Sequence, residues 1–236
     1  MPSTSETRHR PGRPRRDARE LRTFGACLRF FFRKAGVWVI VTCWLVAVAA
    51  RVAVGGWAWT DLLVVAVIVA LQPFTEWLIH VFILHHRPRK VGRVNIDFHA
   101  AAKHRGHHRD PQDIDTAFVP LGDLIGLIVV AAAIAWLLTP GVQLWLTAVV
   151  VELTLLGWYE WVHFIAHVAW KPRGIYFNRQ RRLHRWHHFR NEHYWLGVTV
   201  HLGDTVLGTM KARDAVPMSP TARDLFGIAA DELTAT

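Results

Sequence analysis

Ten of the fifteen histidines in this 236-residue chain fall into four clusters: His80/His85, His104/His107/His108, His163/His167 and His184/His187/His188. A helix advances by about 100° per residue, so positions i, i+3 and i+4 share a face. The two three-histidine clusters have this spacing and each would present three imidazoles in one direction, while His163/His167 adds an i, i+4 pair. Imidazole suits iron, zinc, copper and nickel. Ten clustered imidazoles supply two ions with four or five ligands each, which predicts a dinuclear centre. His80/His85 is the exception, because five residues correspond to about 140° on a regular helix. The helix must end, loosen or distort there, or the two residues serve different ions. Cys27 and Cys43 are the only cysteines, so neither a disulfide framework nor a cysteine-held metal cluster can be assembled.

His86, His99, His193 and His201 stand outside the pattern, and His9 lies in a polar tail. Glu76, one turn before His80, and Glu160, three residues before His163, could each accept the second N–H of a ligating imidazole or could pair with basic segments. Glu152 lies inside an apolar run, within about 20° of His163 on the helical wheel. An acid so placed faces a cavity, an ion path or a partner, or makes an interhelical hydrogen bond.

The elements that must position these groups are membrane-like. The chain is 52% hydrophobic with 12 Trp, too apolar for an ordinary soluble domain. Apolar runs cover Ala35–Ala50, Leu62–Leu84, Leu124–Leu138 and Val142–Val168. A spanning helix needs about 20 apolar residues, so the first and third runs must recruit flanking residues from Arg51–Trp59 and Val119–Gly122. The expected fold is all-α and integral to the membrane: four transmembrane helices as two hairpins, with a cytosolic helical cap carrying the histidines. Residues 1–20 read as a disordered basic tail, 21–34 as an interfacial amphipathic segment, 35–210 as the membrane domain and 211–236 as a C-terminal cytosolic tail.

The net charge of +10 raises nucleic acid as a partner, but its distribution argues against that reading. All but one of the 28 Lys and Arg lie in 1–34, 85–120 and 170–236, the remaining one being Arg51 between the first two runs. The positive-inside rule then places both termini and all four histidine clusters on the cytosolic face. The excess of Arg over Lys, 23 to 5, suits a GC-rich genome and hence a bacterial cell membrane.

The ordered series Glu76-x3-His80-x4-His85, His104-x2-His107-His108, His163-x3-His167 and His184-x2-His187-His188, followed by Leu196 to Thr209 (LGVTVHLGDTVLGT), resembles the membrane fatty acid hydroxylase/sterol desaturase superfamily across residues 70–210. His201 and Gly203 stand where that family often has a proline and an aromatic residue. Asp204 matches the pattern, with a plain role in ordering the turn through backbone N–H groups.

The resemblance implies an oxygenase holding two iron ions, for which zinc could substitute, on His80, His85, His104, His107, His108, His163, His167, His184, His187 and His188. Dioxygen would be the co-substrate, and a fatty acyl, sterol or carotenoid lipid would be hydroxylated or desaturated. No His-Pro-Gly-Gly heme-domain run is present, so electrons are expected from a separate donor such as a ferredoxin or a cytochrome-b-type heme protein. Two other classes compete. A metal-binding or transport protein would use Glu152, yet Arg51–Asp61 and Thr139–Gly141 hold no histidine for an exit. A metal-dependent lipid hydrolase would use the ions as Lewis acids.

Overall fold

The computed structural model describes residues 17–226. Residues 1–16 and 227–236, which hold His9 and most of the expected basic tail, lie outside the described residues. Among the described residues, four helices are long and apolar enough to cross a membrane. They are α2 (Ala35–Val54), α3 (Trp59–Ile79), α5 (Leu121–Leu138) and α6 (Gly141–His167), with α1 (Phe24–Phe31) before them. The two short runs are completed as required, α2 running past Arg51 and α5 starting at Leu121. Outward faces carry bare apolar side chains such as Leu62, Leu137 and Leu138, which suits contact with lipid rather than water.

Each hairpin turn lies at the end away from the histidines. Between α2 and α3, Gly55 and Gly56 adopt φ of 61° and 65°, a backbone conformation that side chains with Cβ resist. Beside this turn Arg51 is buried, donating to Asp61 at 2.6 Å, to Thr147 Oγ1 at 2.7 Å and to the Gly55 carbonyl at 2.5 Å. Thr147 in turn donates to Asp61 at 2.6 Å, tying α2, α3 and α6 together. Replacing Thr147 with valine keeps the volume and the ion pair but strips both hydrogen bonds. The expected loss is about 1–2 kcal/mol, read as a lower unfolding temperature in detergent with metal content unchanged.

At the other end the chain builds a helical cap. It comprises a two-stranded hairpin, β1 (Arg89–Val91) with β2 (Val94–Ile96), then α4 (His99–Arg109), α7 (Ile175–Phe189) and the short α8 (Leu202–Val206). Beneath it a core of Cys27, Phe30, Phe31, Ile114, Phe164 and Ile165 joins α1 to the end of α6. Phe30 stacks on Phe164 with centroids 5.7 Å apart, so α1 packs inward on this core. The segment after residue 210 packs as well: Ala222 and Leu225 are buried, and Thr221 donates to Glu192 at 2.5 Å.

α8 docks on α3 through Gly203, where a Cβ would lie 2.4 Å from the Pro73 carbonyl oxygen. An aromatic side chain could not fit at this approach. Gly203→Ala is expected to cost about 1–3 kcal/mol by overpacking, visible as a lowered unfolding temperature.

Candidate metal centre

All ten expected histidines converge, in two groups of five. His80, His85, His104, His108 and His187 form one; His107, His163, His167, His184 and His188 form the other. Within each group the candidate ligand nitrogens lie within 4.8 Å of one another.

The three-histidine helices do not aim all their imidazoles one way, contrary to the sequence reading. On α4, His104 and His108 enter the first group and His107 the second; on α7, His184 and His188 enter the second and His187 the first. The reason is angular. From position i, residue i+4 lies about 40° to one side and i+3 about 60° to the other. A pair of neighbouring histidines therefore straddles two sites, and the two helices do so with opposite hand.

His80 and His85 share one group because the end of α3 loosens. Residues His80–Leu84 form a π-helical turn in which the His85 N–H donates to the His80 carbonyl at 2.9 Å. With an i to i+5 bond the turn takes in an extra residue, so two side chains five apart come round together, with ring centroids 4.7 Å apart. The option of serving different ions does not hold here.

Outer hydrogen bonds fix how five of the ten rings face. Nδ1 of His80 donates to Leu196 O (2.5 Å), His108 to Ala222 O (2.8 Å), His163 to Ala117 O (2.7 Å) and His187 to Tyr194 O (3.0 Å). Thr116 Oγ1 spends its proton on Asp113 O (2.6 Å) and so accepts from His107 Nδ1 (3.2 Å). A carbonyl can only accept, so these rings carry the proton on Nδ1 and turn an Nε2 lone pair inward.

The lone pairs oppose one another. His108 and His187 bring Nε2 atoms to 3.2 Å, and the buried His163 Nε2 has no hydrogen-bond partner. Two facing lone pairs repel unless a cation lies between them. Burial holds His85, His104, His107, His184, His187 and His188 well below the ordinary imidazole range, and His108 down to about 3, which keeps these rings neutral as metal binding demands. The donor set fits two metal ions.

Neither alternative weighed for the two glutamates describes them. Glu76 accepts from the backbone N–H groups of Val198 (2.5 Å) and Thr199 (2.8 Å), from Thr199 Oγ1 (2.6 Å) and from Gln72 (2.8 Å). That braces the segment whose Leu196 carbonyl receives His80. Glu160 accepts from Val119 N at 3.2 Å and braces the segment whose Ala117 carbonyl receives His163. Each acid stands one backbone segment behind an imidazole.

Asp204 orders its turn as expected, taking the N–H groups of Leu196 and Gly197, both at 2.8 Å, and the Thr209 hydroxyl at 2.6 Å. Between the carbonyls that hold His187 and His80 sits buried Trp195 at φ 54°, a left-handed non-glycine residue. Such strain is retained only where the surroundings enforce it. No side-chain type announces a carbonyl acceptor, so sequence reasoning missed Ala117, Tyr194, Leu196 and Ala222. Among the described residues the other histidines stand apart: His86 packs at a tilt against Phe98, exposed His99 bonds Asp123 at 2.8 Å, His193 is exposed, and His201 bonds Asp204 at 2.8 Å.

Four membrane-length helices under a cap holding ten inward-turned imidazoles define a multi-pass, histidine-rich membrane enzyme. Residues 65–209 match the fatty acid hydroxylase family, and the chain belongs to it. It is similar to a dihydroceramide fatty acyl 2-hydroxylase of Arabidopsis thaliana, 25% identical over 178 residues, covering 74% of this chain and 70% of the relative. Among solved structures it resembles full-length scs7p, of which only the hydroxylase domain is visible. The TM-score is 0.62 at 25% identity, covering 78% of this chain and 69% of that one. The chain is thus a lipid hydroxylase of a membrane-bound family.

Proposed function

We propose that the enzyme is a non-heme di-iron oxygenase that hydroxylates the acyl chain of a membrane lipid with dioxygen. The observation that carries this is the pair of five-imidazole groups with opposed Nε2 lone pairs. His80, His85, His104, His108 and His187 would hold one ion and His107, His163, His167, His184 and His188 the other. Bound iron supplies dioxygen activation and oxidation of the C–H bond. One oxygen atom enters the lipid and the other leaves as water, with two electrons and two protons delivered by a separate donor protein. The chain's own contribution is to hold the rings neutral and oriented and to exclude water beneath the cap.

The similarity to a dihydroceramide fatty acyl hydroxylase supports a sphingoid-linked or free acyl chain as substrate. The distribution of Lys and Arg supports a cytosolic cap, with residues 35–210 as the membrane domain. The test is purified protein loaded with iron in lipid nanodiscs, given ferredoxin or cytochrome-b-type donors. The reading expects oxygen uptake and a lipid gaining one oxygen atom, both absent without dioxygen. Retained iron with neither uptake nor modified lipid under air overturns it.

A further inference from the structure

The described membrane helices carry five acidic residues, and four have partners: Asp61 with Arg51, Glu76 with the 198–199 backbone, Asp123 with His99 and Glu160 with Val119. Glu152, partly buried near the middle of α6, has no hydrogen bond or ion pair among the described residues. A lone carboxyl at that depth is costly and rarely without use. Tyr159 on the same helix likewise has no partner for its hydroxyl among the described residues.

These two groups belong to one stripe. Trp145, Glu152, Tyr159 and His163 fall within about 40° of one another around α6. At the top Tyr159 stacks on His163, a member of the second imidazole group, with centroids 5.7 Å apart. At the bottom Trp145 donates to the Ala132 carbonyl of α5 at 2.9 Å. α2 packs on the opposite side of α6, where Thr154 bonds Trp44 at 2.9 Å and Gly157 lies against Ile40. α3 and α5 each pack on α6 but scarcely touch each other. Along the stripe, eleven residues at 1.5 Å each separate Glu152 from His163 by about 16 Å.

The geometry points to Glu152 as a specificity residue that hydrogen-bonds an uncharged polar group, a hydroxyl or amide, carried on the lipid chain about 16 Å from the carbon attacked. A carboxyl accepts an O–H or N–H in either protonation state, whereas a plain alkyl chain leaves it unsatisfied beside hydrocarbon. The substrate would then be a long chain already bearing a second polar function. The class of reaction that must precede this enzyme is one that installs that group. This inference rests on the lipid-hydroxylase reading of the site and deepens it.

Binding can be read without turnover. The full chain in nanodiscs is titrated with octadecanoic acid and with its hydroxy derivatives substituted at successive positions. One positional isomer is expected to bind about tenfold more tightly than the unsubstituted acid, the worth of one hydrogen bond. Glu152→Leu should erase that preference by raising affinity for the plain acid toward that of the favoured isomer, with metal content unchanged. Glu152→Gln should keep part of it. If the leucine variant fails to insert, Glu152→Met serves in its place.

Equal binding of all isomers overturns the inference, as does a preference that survives Glu152→Leu. A change of particle mass on substitution also overturns it, by assigning the carboxyl to contact between copies. Because no oxidation is measured, failure here leaves the oxygenase reading standing, and failure of oxygen uptake leaves this result intact.

Discussion

Replacing His107 with alanine is expected to release one of two ions and to abolish hydroxylation while the protein still inserts into the membrane. His107 lies on α4 between His104 and His108, yet it alone of the three serves the second group, with His163, His167, His184 and His188. Its removal leaves that group four imidazoles and a void at a site 1% exposed, and frees Thr116 Oγ1 of its donor. Metal content should fall by about half, because the first group keeps all five ligands. Turnover should fall by on the order of 100-fold or more. His187→Ala is the mirror case, emptying the first group from α7, and the double variant should lose both ions. Elemental analysis per chain, lipid product analysis and membrane fractionation check these outcomes together. A single variant with full metal and full activity would remove that histidine from the ligand set.

Glu76→Ala should damage folding and metal binding together. Glu76 is buried and accepts four hydrogen bonds from two separate parts of the chain. Alanine strands the N–H groups of Val198 and Thr199 in a buried environment, at an expected cost on the order of 3–5 kcal/mol. The loosened 196–199 segment then ceases to hold the Leu196 carbonyl against His80, which should weaken metal binding by about 10–100-fold. Glu76→Gln keeps the volume and one acceptor oxygen and should fall between the two. Unfolding temperature in detergent, with and without added metal, separates the effects. A purely structural role predicts the same metal-dependent rise as in the parent enzyme; the bracing role predicts a smaller rise.

Much of this was legible in the sequence because membrane helices and metal ligands both write themselves in residue type. Four apolar runs gave four helices within a few residues, since the hydrocarbon layer sets a minimum length. The ten ligand candidates could be named because imidazoles buried in clusters have few other uses. What stayed hidden was conformational. Spacing alone left open whether helix α3 ends or loosens after His80; the π-turn settles it through one backbone hydrogen bond. The division of His107 from His104 and His108 follows from wheel angles, but only once two sites exist to receive them. The roles of Glu76 and Glu160 were misjudged because their partners are backbone groups remote in sequence. Main-chain carbonyls and amides carry no letter in the sequence.

The opposite-handed sharing of α4 and α7 between the two imidazole groups makes the centre behave as a double rivet. Each ion would be gripped by both helices, so neither helix can swing away without tearing ligands from both ions at once. Loading would then be cooperative: the first ion captured pre-assembles half of the second pocket and raises its affinity. With both ions bound the cap would be a fixed roof, and lipid would then arrive sideways from the bilayer rather than through a lifting lid.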